Sequence, residues 1–268
     1  MATTAPAPPA RSPFHSLAGG WPAARRAHLG SVRAGGAAMT RRMLEGARVG
    51  AGTRVVDLGP GYGATAEALR DVNLHAYTGI CLTDRQAQAV RRRAAGPDRT
   101  GVVAAPDATG LPAASAGAVI GEGVLSGVSD PTKVAILAEA ARLVRPGGAV
   151  AFHELVVPDD PWEGRSAPLL DELRTVGLRP LDETRWRAAL RDAGLEPVGV
   201  LLGALDVPGL GDLARDADLA NAFPAAPPLL CPGRASRVLR RAGFLLETHA
   251  DRLAAAVVVG RRPVLARG

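Results

Sequence analysis

Between Thr53 and Val157 short apolar runs alternate with stretches of helical composition, and this alternation restricts the fold more than any other feature. Thr53–Leu58, His75–Leu82, Gly101–Ala105, Ala116–Glu122 and Ala149–Val157 read as strands. Ala64–Asp71, Asp84–Ala95 and Asp130–Val144 read as helices between them. Strands separated by helical crossovers pair in parallel and place the helices on both faces of one sheet. The helix at Asp130 carries the plainest signals. Asp130 can cap it, Pro131 fits its first turn, and Val134, Leu137, Ala141 and Val144 recur at helical spacing. Pro146-Gly147-Gly148 then reads as a stop and a turn into the next strand.

The flanking regions are less regular. Residues 1–20 read as a disordered Ala/Pro tail, and residues 21–50 as a helical lid with helices at Trp21–His28 and Ala37–Ala47 around Gly35-Gly36. Residues 51–206 form the expected core, closing with a loop and short helix over 158–183, a helix at Glu183–Ala193 and a strand at Leu195–Leu205. Residues 207–245, rich in Gly, Pro and Ala with a basic amphipathic helix near Ser236–Ala242, read as a cap inserted between the last two strands. Residues 246–268 then supply the final strand, Arg252–Arg262. Apolar residues make up 47% of the 268, but aromatics only 3%, so the core must be packed from Val, Leu, Ile and Ala.

The formal charge of +6 invites a nucleic-acid reading that the pattern does not support. Lys133 is the sole lysine, and the arginines are scattered among acids, as in Arg41, Arg42, Glu45 and Arg48. No aromatic-interleaved basic stripe is present, so a solvated surface is expected and nucleic acid is not a predicted partner. Cys81 and Cys231 lack any CxxC spacing, which argues against a disulfide framework or a metal site. The N-terminal residues lack an apolar signal segment, and the run Leu253–Gly260 is too short to span a bilayer. A cytoplasmic protein with no membrane partner is the expectation; a homodimer is left open.

The chemistry concentrates at Val55-Val56-Asp57-Leu58-Gly59-Pro60-Gly61-Tyr62-Gly63, a buried strand running into a glycine turn that opens a helix. Glycines there let the backbone turn tightly and let a ligand approach without meeting Cβ atoms. Open α/β sheets place their ligands at this carboxyl edge. Gly59-x-Gly61-x-x-Ala64 also satisfies the dinucleotide pattern, so the turn alone does not separate a nicotinamide cofactor from other nucleosides. Further features shift the balance: Asp57 two residues before the first glycine, Gly63 at GxGxG spacing, then Pro106-Asp107-Ala108, Leu111-Pro112 and Arg145-Pro146-Gly147-Gly148.

Together these motifs resemble the class I S-adenosylmethionine (SAM)-dependent methyltransferases over roughly residues 30–160. The resemblance implies an α/β Rossmann-like fold: a seven-stranded, mostly parallel sheet with helices on both faces, an antiparallel last strand and a helical cap. It places Gly59, Gly61 and Gly63 against the methionine part of SAM, Asp57 near the loop orienting it, and Asp107 with Ala108 at the adenine. The family commonly ends its second strand with an acid that holds the ribose; here the segment reads Cys81-Leu82-Thr83-Asp84-Arg85-Gln86. This variant resembles the methyltransferase-11 and cyclopropane-synthase-like branch, which implies ribose contacts from Leu82 and Gln86, with Asp84 capping the helix. Thr40, after Arg33-Ala34-Gly35-Gly36, resembles part of a loop closing over SAM and is expected at the cofactor carboxylate or as a helix cap.

Methyl transfer from a sulfonium needs a positioned nucleophile, and a general base only where that nucleophile must lose a proton. Candidates at the ends of the fourth and fifth strands are Glu122 and His153. His153 falls where the cyclopropane-synthase branch carries an active-site histidine, whereas Ser126 stands near the place of that branch's acid, which argues against cyclopropanation. Glu154 alternates to the other face of the strand. His153-Glu154-Leu155 after Pro-Gly-Gly, with Arg237–Arg241 before the last strand, is similar to a group of bacterial small-molecule methyltransferases. The expected function is methyl transfer from SAM to a metabolite or natural-product acceptor. The alternatives are an NAD-dependent oxidoreductase, which ordinarily needs the missing second-strand acid, and a SAM-binding protein that does not methylate.

Overall fold

The computed structural model describes residues 35–158, 167–205 and 234–264. Helix α1 (Gly36–Gly46) leads into β1 (Arg54–Leu58), α2 (Ala64–Ala68), β2 (Ala76–Cys81), α3 (Asp84–Ala94), β3 (Arg99–Val103) and β4 (Ala116–Glu122). The chain continues through α4 (Asp130–Leu143), β5 (Val144–Val157), α5 (Ala167–Thr175), β6 (Leu181–Asp182), α6 (Glu183–Asp192) and β7 (Glu196–Gly203). It ends with α7 (Arg234–Thr248) and β8 (Ala254–Arg261). The sheet order is β3-β2-β1-β4-β5-β8-β7. The pairs among β1 to β5 are parallel, and β8 runs antiparallel to both β5 and β7. The expected seven strands are therefore present with the expected reversal. An eighth, the two-residue β6, pairs with β5 at Val156 and Val157.

Strand alternation sorts the side chains into a core on each face. On one face Val56, Leu58, Ile80, Val119, Val150 and Phe152 pack against Ile136, Leu137 and Ala140 of α4 and Trp186 and Leu190 of α6. On the other, Val55, Tyr77, Ile120, Ala151, Val257 and Val259 meet Met39 and Met43 of α1 and Ala87 and Val90 of α3. Two nearly aromatic-free cores suffice because both faces of the parallel strands are covered. A smaller cluster at the carboxyl end of β5 joins Leu155 and Val157 to Leu169 and Leu173 of α5 and Leu245 of α7.

Local signals were read one residue late in two helices. Ser129 rather than Asp130 caps α4, its Oγ accepting from Thr132 N at 3.4 Å. Asp130 instead sits in the first helical turn, where its carboxylate takes the Lys133 ammonium at 2.8 Å. Thr83 rather than Asp84 caps α3, accepting from Gln86 N. Pro146-Gly147-Gly148 does not precede the strand as a turn: α4 ends at Leu143 and the segment lies inside β5, where Gly147 N donates to Arg262 O and Arg262 N to Gly148 O, holding it against the chain leaving β8. The expected helix at Ser236–Ala242 is the middle of α7, which runs on past residue 245 to Thr248. The tail at 1–20, the helix expected at Trp21–His28 and most of the cap segment lie outside the described residues.

Candidate active site at the carboxyl edge of the sheet

The glycine turn leaves β1 at the carboxyl edge, as expected. Gly59, Gly61 and Gly63 hold φ of +77°, +58° and +93°, the left-handed region that a Cβ disfavours. They do not serve one purpose. A Cβ on Gly63 would lie 3.1 Å from Val90 Cα of α3, so this glycine is required by packing. One on Gly61 would meet no heavy atom of the described residues within 4 Å. Residue 61 therefore faces open space at the strand ends, and a bound group can lie directly against its backbone.

Asp57 is buried beneath the turn, and its Oδ2 accepts from the Tyr77 hydroxyl at 2.7 Å. Gly79 pairs with Asp57 across β1 and β2, and a Cβ there would lie 3.0 Å from both Pro60 of the turn and Val90 of α3. Burial, and then the Asp57 charge, push the Tyr77 phenol well above its ordinary range, so it stays a donor that fixes the carboxylate. Sequence reasoning missed Tyr77. Its signal was strand parity, which puts residues 55, 57 and 77 on one face.

The expected ribose pair is brought together: Leu82 N donates to Gln86 Oε1 at 2.9 Å, which fixes Gln86 at the crevice rim. Asp107 lies half-buried in a turn closed by Ala108 N donating to Ala105 O, with Ala108 exposed. That turn is anchored from α4. Glu139 Oε1 accepts from Thr109 N at 3.0 Å and from Thr109 Oγ1, and Arg142 binds both the Glu139 carboxylate and Leu111 O. Burial raises the Glu139 pKa, but the hydrogen bonds from Arg142 and Thr109 outweigh it and hold the carboxyl below its ordinary range.

Glu122 and His153 are register partners at the ends of β4 and β5 and project to the same face as Asp57. His153 Nδ1 lies 3.1 Å from Glu122 Oε1, and both side chains are buried. Glu122 is also bound from two helices: Thr40 of α1 donates to Oε1 at 2.5 Å and Thr65 of α2 to Oε2 at 2.8 Å. Thr40 is not the helix cap. It sits inside α1, whose cap is Gly35, and serves Glu122. Two threonine hydroxyls and the His153 ring thus converge on the Glu122 carboxylate.

Glu154 points the other way, as its parity requires. Its oxygens accept from Leu125 N at 2.9 Å, Ser126 N at 2.7 Å and Ser126 Oγ at 2.5 Å. Ser126 Oγ in turn accepts from Leu155 N, and Lys133 Nζ donates to Val128 O at 2.9 Å. This clamps the loop between β4 and α4, whose Val124 packs beside Gly59. Burial raises the Glu154 pKa despite those bonds and lowers that of Lys133 despite its Asp130 partner. The sequence shows Ser126 only as a missing acid; the fold makes it a partner of Glu154, holding the loop after β4.

Residues 56–152 match a family described as a methyltransferase domain, of the methyltransferase-11 type. The chain is 33% identical over 152 residues to 27-O-demethylrifamycin SV methyltransferase of Amycolatopsis mediterranei strain S699 and covers 55% of each protein, about half the length of that relative. The sheet superimposes on the 4+2 cyclase SpnF with a TM-score of 0.64 at 20% identity, covering 85% of this chain and 81% of that one. It superimposes on geranyl diphosphate C-methyltransferase from Streptomyces coelicolor A3(2), in complex with Mg2+, geranyl diphosphate and S-adenosyl-L-homocysteine, with a TM-score of 0.59 at 16% identity, covering 84% and 78%. The fold is that of the class I methyltransferases.

Proposed function

We propose, from a methyltransferase domain matched over residues 56–152 on a complete class I sheet, that this chain transfers a methyl group from SAM to a small-molecule acceptor. The observation that carries the reading is the open face above Gly61, flanked by two left-handed glycines and backed by the buried Asp57–Tyr77 pair. That cradle fits the amino-acid end of SAM: bare backbone for close approach, with a fixed acid beneath to order the turn. Leu82 and Gln86 would hold the ribose, and Asp107 with Ala108 the adenine.

SAM supplies an electrophilic methyl for in-line displacement, so the protein has to orient the acceptor and exclude water. His153 is the group that takes a proton from an acceptor hydroxyl, thiol or amine. Glu122 positions it, binding one ring nitrogen and stabilising the imidazolium that proton transfer creates. Thr40 and Thr65 fix Glu122 in turn, so α1 and α2 both set the direction of the imidazole.

Calorimetry with SAM, S-adenosyl-L-homocysteine and NAD tests the cofactor, and S-adenosyl-L-homocysteine release with candidate acceptors tests the transfer. Because the fold neighbour SpnF is named for cyclisation, binding alone does not decide the reaction. His153→Ala is expected to keep SAM affinity and to slow release by roughly 10²–10⁴-fold, the usual contribution of a general base. Tight NAD binding with indifference to SAM overturns the proposal.

A further inference from the structure

At the opposite end of the sheet, the amino-terminal ends of β1, β4 and β5 border a cleft of about 670 Å³. Arg48, Arg54, Arg145 and His75 line it, together with small and glycine residues and, among the described residues, no carboxylate. Elsewhere in the chain several arginines are paired with acids. Arg93, Arg142, Arg174, Arg185, Arg187 and Arg241 each have an acidic partner within 4.0 Å. Arg48 and Arg145 form no ion pair among the described residues. Among the described residues the Arg54 guanidinium faces the imidazole of His75, 2.6 Å away at Nε2, where an ion pair would offer a carboxylate. Arg145 lies over the side-chain-free surface of Gly117, its Nε 3.7 Å from where a Cβ would stand, and so beside the start of β1.

A common duty of such arginines, neutralising a helix C-terminus, is already discharged here. Arg262 donates to the carbonyls of Ala141, Arg142 and Val144 at the end of α4. Guanidinium groups gathered without an acid are mutually repulsive and lower in free energy with an anion between them. Phosphate suits that arrangement best, because its oxygens accept paired N–H donors and its charge opposes several cations at once. The volume falls in the range of small-molecule sites.

We propose that this cleft is a second binding site, for a phosphate-bearing small molecule, held by Arg48, Arg54 and Arg145. It lies at the far end of the strands from the glycine turn, so it stands or falls independently of the methyl-transfer reading. The test is calorimetry at low salt with inorganic phosphate, inorganic diphosphate and AMP. Native protein is compared with Arg54→Gln/Arg145→Gln and with the control Arg174→Gln/Arg185→Gln, which removes the same charge from ion-paired surface sites. The expected result is saturable binding of one diphosphate per chain, weakened at least about tenfold in the cleft variant and unchanged in the control. AMP binding above inorganic phosphate identifies a nucleotide-sized ligand; equal binding identifies the free anion as the ligand. Circular dichroism confirms folding, and Arg48→Gln alone, on a different element, should weaken binding in the same direction. Absence of saturable binding for all three probes, or equal loss in both double variants, overturns the proposal.

Discussion

Replacing Gly61 or Gly63 by alanine separates what the glycine turn does for the fold from what it does for a ligand. At Gly61 φ is +58°, inside the left-handed well that alanine can occupy at a cost of about 1–2 kcal/mol, partly offset by a stiffer unfolded chain. No atom of the described residues lies within 4 Å of the new Cβ. At Gly63 φ is +93°, outside that well, and the Cβ would press on Val90 Cα at 3.1 Å, a helix backbone atom that cannot swing aside. Strain and overpacking together make that substitution cost about 2–5 kcal/mol. For a chain of this size each kcal/mol moves Tm by roughly 2–4 °C. Gly63→Ala should therefore lower Tm by roughly 4–20 °C, and Gly61→Ala by at most about 2–8 °C. SAM affinity should reverse the order of severity per degree lost: Gly61→Ala places its methyl in the cofactor's path and should weaken binding at least about tenfold, equivalent to ~1.4 kcal/mol. Differential scanning fluorimetry and calorimetry on the same preparations give both quantities. Unchanged SAM affinity in Gly61→Ala would refute the cradle, and equal melting temperatures would refute the contact argument.

Other outcomes follow from the buried polar groups. Glu154→Ala strands the N–H groups of Leu125 and Ser126 in the interior and should cost ~2–5 kcal/mol in urea unfolding. Glu139 has a folded pKa below its unfolded value, so its stabilisation is complete above the ordinary carboxylate range and is lost as pH falls through the folded value. Glu139→Gln should thus be destabilised at pH 7, with the gap to native protein closing in acid; a gap that widens in acid contradicts the sign. Glu154, raised by burial, contributes oppositely: its proton is held more tightly in the native state, and stability is lost as pH rises through the folded value. Burial pushes the Cys81 thiol up to about 12, so peptide mapping after iodoacetamide at pH 8 should find Cys81 unmodified until urea opens the fold.

The sheet was legible because its signals are local and periodic. Strand-helix alternation located β1 to β5, and the Val-rich run at 254–261 located the final strand. The two-residue β6 was not legible, since a pair of residues has no period and is recruited only by the end of β5. Cap positions slipped by one residue at Ser129 and Thr83 because a hydroxyl and an adjacent carboxylate give the same sequence signal, and backbone geometry chooses between them. In the site, residue identities were readable where the motif is contiguous, as at Asp57 to Gly63. The partners of Glu122 were not, because Thr40 and Thr65 lie 82 and 57 residues away in sequence and meet it only when two helices pack on one sheet face.

Lys133, the one lysine of the chain, is buried to 1% exposure and bonded to Val128 O and Asp130. The folded surface consequently offers acylating or aldehyde reagents no side-chain amine among its basic groups, all of which are guanidinium or imidazole. Covalent labelling at Lys133 becomes a clock for opening of the loop it closes, and bioconjugation aimed at lysine would capture the chain only in the moments when that loop has let go.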